Sequence, residues 1–201
     1  MRPKALASRT WRLGCFSREV AITTIVGLEH RGSVWLGGDS AISTEETVAL
    51  QTLPKVFQRA NVVIGICGQC RLEPVMRHIV NVPTFKRGDD PDRWVNVDMA
   101  AAIRKALTGE GLVIESGWFD IGDSGIMLGV GGQLFVIESD LCGWRPLHGY
   151  HSIGSGGDKA CVSLRETASG KLQPKTRLKR ALECAAAETP FTRPPWTFVN
   201  T

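Results

Sequence analysis

The chain has 201 residues, with 43% hydrophobic and 22% charged residues and a formal charge of +4 at pH 7. That length holds one domain with a sizeable core and leaves no room for two ordinary ones. No apolar run approaches the roughly 20 residues needed to span a bilayer. The mild basicity does not mark a nucleic-acid binder, since Lys and Arg are scattered apart from a group at Lys171 to Arg180 that reads as a solvated helix face.

The first 22 residues carry Arg2, Lys4, Arg9, Arg12 and Arg18 against one acid, Glu19. They lack the apolar stretch of a secretory signal, so residues 1–22 read as a leader or propeptide ahead of a domain at 23–201. A cytoplasmic location is expected, or the mitochondrial matrix if the Arg-rich leader is a transit peptide. The cysteines Cys15, Cys67, Cys70, Cys142, Cys161 and Cys184 are expected as reduced thiols.

Residues 23–30 and 33–38 form a hairpin pattern around Arg31-Gly32. Residues 41–52 read as polar and irregular. Leu53, Lys55 and Phe57 alternate with Pro54 and Val56, which puts the three on one strand face. Ala60-Asn61 turns the chain into Val62–Ile66, a wholly apolar run that reads as a buried strand.

Helical spacing follows at Leu72, Val75, Met76 and Ile79, then a loop over 81–94. A helix is predicted from about Asp98 to Leu107, capped by Asn96 or Asp98. Leu112–Glu115 and Gly125–Val130 are strand candidates, and Gly131-Gly132 turns into a strand at Gln133–Ile137. His151–Ile153 leads through Gly154-Ser155-Gly156-Gly157 into a helix to about Thr167. Gln173–Glu188 is a second helix, and Trp196–Asn200 a final strand.

Hairpins, a helix pair, hairpins, a helix pair and a strand argue for α+β layers. The predicted fold is a four-layer αββα sandwich of two antiparallel sheets, each covered outside by a helix pair.

The chemistry centres on Thr23 and Thr24. A threonine at a liberated N-terminus carries its own base, because an α-amino group titrates near 7.7–8.0. Pairing of the hydroxyl with that amine is a known nucleophile-base arrangement. A nearby cation would hold the amine neutral. Lys55 is the candidate cation, and Asp39 the carboxylate that would hold it. Asp39 lies 39 − 23 = 16 residues after Thr23, and Lys55 lies 55 − 23 = 32 after it.

With Thr-Thr-Ile-Val at Thr23, Gly38-Asp39, Lys55 and Gly-Ser-Gly at 154–156, residues 23–201 resemble the threonine-protease branch of the N-terminal nucleophile hydrolases. That branch holds the proteasome β-subunits and HslV-type peptidases. Both spacings from Thr23 are the family's. The resemblance implies Thr23 as nucleophile and base, Lys55 tuning the site and Asp39 holding Lys55. It implies the Gly68 N–H as oxyanion donor and Ser155 bonded near the terminal amine. Glu188 falls where the family has Asp, and Ile22 where processed precursors have Gly. Ile42, Leu53 and Phe57 would line an apolar specificity pocket.

The same resemblance implies a threonine endopeptidase acting on unfolded polypeptide, without metal or organic cofactor. It implies a closed homo-oligomeric ring (a double hexamer, or heptamer-like) fed by an AAA+ ATPase unfoldase. Two other readings compete. One is a non-catalytic ring subunit, supported by Ile22 and the leader. The other is a thiol-disulfide oxidoreductase using Cys67-Gly-Gln-Cys70, which lies between an apolar strand and a helix. A thioredoxin-like module has a βαβ unit before that motif, whereas β-hairpins precede it here.

Overall fold

A computed structural model describes residues 23–43, 47–112 and 124–201. Strand β1 (Ile25–His30) turns at Arg31-Gly32 into β2 (Ser33–Gly38). Both turn residues have positive φ, 49° and 77°, which matches the twist of a two-residue hairpin. Hairpin β3 (Ala41–Ser43) and β4 (Val48–Leu50) follows, then β5 (Val56–Arg59) and β6 (Val62–Cys67).

The first helical layer starts with α1 (Leu72–Pro74), which continues as a π-helical turn over Val75–Ile79. It then takes α2 (Pro91–Arg93), π-helical Trp94–Met99 and α3 (Ala100–Gly109) as one continuous rod. Strands β7 (Gly125–Val130), β8 (Gln133–Ile137), β9 (Gly143–Trp144) and β10 (Tyr150–Ile153) come next. Helices α4 (Gly157–Glu166) and α5 (Pro174–Glu188) lead to β11 (Thr197–Asn200).

One antiparallel sheet has the order β10-β1-β2-β11 and the other β5-β6-β7-β8-β9. Three buried clusters define four layers. Ile25, Leu36, Val63, Met127 and Leu134 fill the space between the sheets. Ile64, Leu72, Trp94, Ile103 and Phe135 pack the five-stranded sheet against the first helical layer. Val26, Leu28, Leu164, Leu178 and Leu182 pack the four-stranded sheet against α4 and α5. Alternation within β1, with Ile25 facing one cluster and Val26 the other, shows why its apolar run is unbroken: both faces are covered. This is the αββα sandwich expected from the order of elements.

Several local expectations change. Residues 41–50 are not irregular but contain the two-stranded hairpin β3–β4. The rod ending at Gly109 begins seven residues before Asp98, because Asp90 accepts the Asp92 N–H at 3.0 Å and Pro91 occupies the first turn. Asn96 instead bonds across to Gly143. β5 begins only at Val56, since Pro54 has no N–H to offer a ladder. The strand expected at 112–115 lies almost wholly outside the described residues, as does the leader. On α5, Leu178, Ala181 and Leu182 face the sheet while Lys175, Lys179 and Arg180 face solvent, so the basic group is a solvated helix face.

Candidate active site

The β1–β2 register pairs Ile25 with Gly38, so the next rung toward the strand ends brings Thr24 beside Asp39. The contact is reciprocal: Asp39 N–H donates to the Thr24 carbonyl at 3.3 Å, and Thr24 N–H donates to Asp39 Oδ1 at 3.0 Å. Lys55 enters from the other sheet, directly ahead of β5, and its carbonyl accepts the Ile66 N–H at 3.1 Å. The site therefore sits where the two sheets meet at one end of the sandwich.

The Lys55 Nζ donates to Thr23 Oγ1 at 2.8 Å, to Asp39 Oδ1 at 2.9 Å and to the Ala41 carbonyl. Thr23, Asp39 and Lys55 are 4%, 1% and 6% exposed, so this is a buried ion pair with a hydroxyl held against its cation. Asp39 is gripped at both oxygens. Oδ1 accepts from Thr24 and Lys55, while Oδ2 accepts the Ala41 N–H at 2.9 Å and the Arg193 N–H at 3.3 Å. Burial pushes the Lys55 pKa below the ordinary lysine value, and the Asp39 charge opposes but does not cancel that push.

Ser155 reaches Thr23 because β10 pairs with β1, Ile153 opposite Ile25, which sets residues 154–155 beside the start of β1. Its Oγ lies 3.4 Å from the Thr23 N and 3.4 Å from the Thr23 carbonyl oxygen. Gly154 makes that approach possible: it has φ +91°, and a Cβ there would sit 2.1 Å from the Thr23 carbonyl oxygen.

Gly68 ends β6 with φ +106°, where a Cβ would lie 2.4 Å from the Ser124 Cα. Its N–H donates to no backbone carbonyl among the described residues. The same turn is pinned by the Gln69 N–H donating to Ser124 Oγ at 2.8 Å.

Four other expected residues add no hydrogen bond to this cluster among the described residues. Glu188 is the exposed last residue of α5 and makes no side-chain hydrogen bond among the described residues. Leu53 is 45% exposed, while Phe57 is 6% exposed and packs on the helical side of its sheet under the Arg77 guanidinium, 3.8 Å from the ring centroid. Ile42 is half-buried in β3. The common face expected for Leu53, Lys55 and Phe57 is not formed.

Sequence reasoning missed the segment before β11. Thr192 is fully buried, and its hydroxyl shares a 2.6 Å hydrogen bond with the Thr24 hydroxyl. Arg193 N–H reaches Asp39, Ser40 N–H donates to the Arg193 carbonyl at 2.9 Å, and Ser40 Oγ donates to the Pro195 carbonyl at 2.6 Å. The only hint in the chain was a polar Thr-Arg pair ahead of two prolines.

Cys67 lies beside this site with its thiol donating to the Gly125 carbonyl at 3.6 Å. Burial pushes its pKa up to about 12, so it stays a neutral thiol, the opposite of what a redox pair needs. In the native protein an aromatic disulfide reagent is expected to label exposed Cys70 and to spare Cys67 until the chain unfolds. Rapid native labelling of Cys67, mapped by peptide mass, would contradict its inertness. No group of His, Cys, Asp and Glu side chains that could hold a metal ion occurs among the described residues.

No family model and no curated protein matches the sequence. Solved structures do match. HslV from Trypanosoma brucei aligns with a TM-score of 0.68 at 20% identity, over 89% of this chain and 98% of that one. BPH from Thiobacillus denitrificans aligns at 0.70 and 12% identity, over 89% and 97%. Anbu from Yersinia bercovieri, described as an ancestral beta-subunit, aligns at 0.62 and 10% identity, over 89% and 81%. The chain shares the proteasome-like fold of these structures.

Proposed function

We propose that this chain is a threonine-type endopeptidase that cleaves unfolded polypeptide, with Thr23 as its nucleophile once residues 1–22 have been removed. The observation that carries this reading is the Thr23 hydroxyl 2.8 Å from a buried Lys55 ammonium that is itself held by Asp39 at 2.9 Å.

In the mechanism, the freed Thr23 amine takes the proton of its own hydroxyl as Oγ1 attacks the scissile carbonyl. The Lys55 cation stabilises negative charge developing on that oxygen and keeps the neighbouring amine neutral. The Gly68 N–H faces the oxyanion. The ammonium formed at Thr23 then protonates the leaving amine, and water hydrolyses the ester left on Oγ1. Ser155 orients the amine. Glu188, exposed at the end of α5, has no step in this scheme.

By the same reading the subunit works in a closed homo-oligomeric ring, a double hexamer if HslV-like, in the cytoplasm, with an ATP-driven unfoldase supplying substrate. A subunit kept only for architecture would assemble and cleave nothing. Covalent labelling separates the two: epoxomicin, the ligand named with the Thiobacillus structure, is expected to add at Thr23. An assembled protein that neither cleaves peptide nor takes any adduct at Thr23 would overturn the peptidase reading.

The pH profile follows from the groups involved. kcat/KM is expected to rise as the Thr23 amine loses its proton near pH ~8. It is then expected to fall as Lys55 deprotonates, below the ordinary lysine value of 10.5 because burial lowers that pKa. Hydrolysis of a fluorogenic peptide measures both limbs. A rate independent of pH between about 6 and 8 would remove the amine from its role as base.

A further inference from the structure

All three residues of β4 are exposed, and its apolar side chains Val48 and Leu50 are 38% and 58% exposed. Facing them is the segment that precedes β11. Val48 and Leu50 together with Pro190, Arg193 and Pro194 line a cleft of about 400 Å³. That volume is within the range of ligand-binding clefts. Among the described residues that line it, Arg193 carries the charge and the rest are apolar.

Arg193 is fixed in place by its backbone. Its N–H donates to Asp39 Oδ2 at 3.3 Å, and its carbonyl accepts the Ser40 N–H at 2.9 Å. Its exposed guanidinium makes no ion pair or hydrogen bond among the described residues. The residue that carries this cation over apolar walls is thus tied by its backbone to the carboxylate that holds Lys55.

We propose that this cleft binds the substrate polypeptide, taking an apolar side chain on Val48, Leu50, Pro190 and Pro194 and a neighbouring carboxylate on Arg193. The proposal rests on the peptidase reading of Thr23. Charge argues against the leader as occupant, since its Arg2, Lys4, Arg9, Arg12 and Arg18 outweigh Glu19 and would be repelled by Arg193. The backbone bonds that tie Arg193 to Asp39 and Ser40, and so to the site at Thr23, argue for substrate over a second copy of the chain. The site would favour segments in which an aliphatic residue adjoins Asp or Glu.

The test is direct binding to the full-length Thr23→Ala protein, read by fluorescence anisotropy. Three labelled decapeptides are identical except for Glu, Gln or Lys next to a central Leu. Affinity is expected to fall from Glu through Gln to Lys over about tenfold, the scale of one partly exposed charge pair. Arg193→Glu should reverse the order, and Leu50→Ser should weaken all three peptides several-fold.

Equal affinities for the three peptides, or an order unchanged by Arg193→Glu, would overturn the proposal. So would Leu50→Ser splitting the assembly while leaving peptide affinity intact, because a second copy would then be the occupant. Binding is read without cleavage, which keeps the two readings separable. Charge-ordered binding by a protein whose wild type never cleaves would support the cleft and remove the peptidase. Cleavage by a wild type whose binding is blind to charge would remove the cleft alone.

Discussion

Thr23→Ala is expected to abolish peptide hydrolysis, with a loss of at least about 10³-fold in kcat, while the protein still folds and assembles. The substitution removes the attacking oxygen and leaves the rest of the site in place. Lys55 keeps Asp39 and the Ala41 carbonyl as acceptors, so the ammonium is not left bare. Loss of one hydrogen bond to a charged donor costs about 1.5–3 kcal/mol of stability. Thr23→Ser keeps both hydroxyl and amine and is expected to retain activity. Turnover by the alanine variant at the wild-type rate, measured on one fluorogenic peptide, would remove Thr23 from the chemistry.

The largest loss of stability is expected from Asp39→Ala. The Lys55 ammonium would remain in a site where that residue is 6% exposed, with the Asp39 carboxylate gone. The N–H groups of Thr24, Ala41 and Arg193 would lose their acceptor in the same step. Breaking a buried ion pair from one side costs about 3–5 kcal/mol. Lys55→Met is expected to cost less, because Asp39 keeps those three backbone donors, although it should be equally inactive. Urea denaturation of both variants gives the order. A Lys55→Met protein less stable than Asp39→Ala would contradict the view that Asp39 anchors the site.

The placing of Thr24 beside Asp39 was legible in the chain because hairpins are local. The β1–β2 turn at Arg31-Gly32 fixes the register that sets Thr24 beside Asp39, whereas Lys55 comes from the other sheet and was marked by its spacing of 32 from Thr23 within the family resemblance. The order of hairpins and helices carried the layer architecture for the same reason.

Thr192 and Arg193 were not legible. Their partners lie 168 and 154 residues away, and neither has a periodicity or spacing that points across that gap. The hairpin β3–β4 was hidden by its composition, since β4 is exposed throughout and has no alternation to read. The early start of the α2–α3 rod was there to be read in Asp90-Pro91, a cap followed by proline in the first turn, but Pro91 to Trp94 lay in a stretch, 81–94, whose Pro, Gly and Asp content read as loop. The expected face of Leu53, Lys55 and Phe57 failed at Pro54, which delays the strand to Val56.

The account depends on a free amine at the residue that carries the attacking hydroxyl. Intact mass combined with N-terminal sequencing of the active, purified protein tests this most directly. The expected mature chain begins Thr-Thr-Ile-Val, at Thr23. A protein that cleaves peptides at full rate while still beginning at Met1 would contradict it.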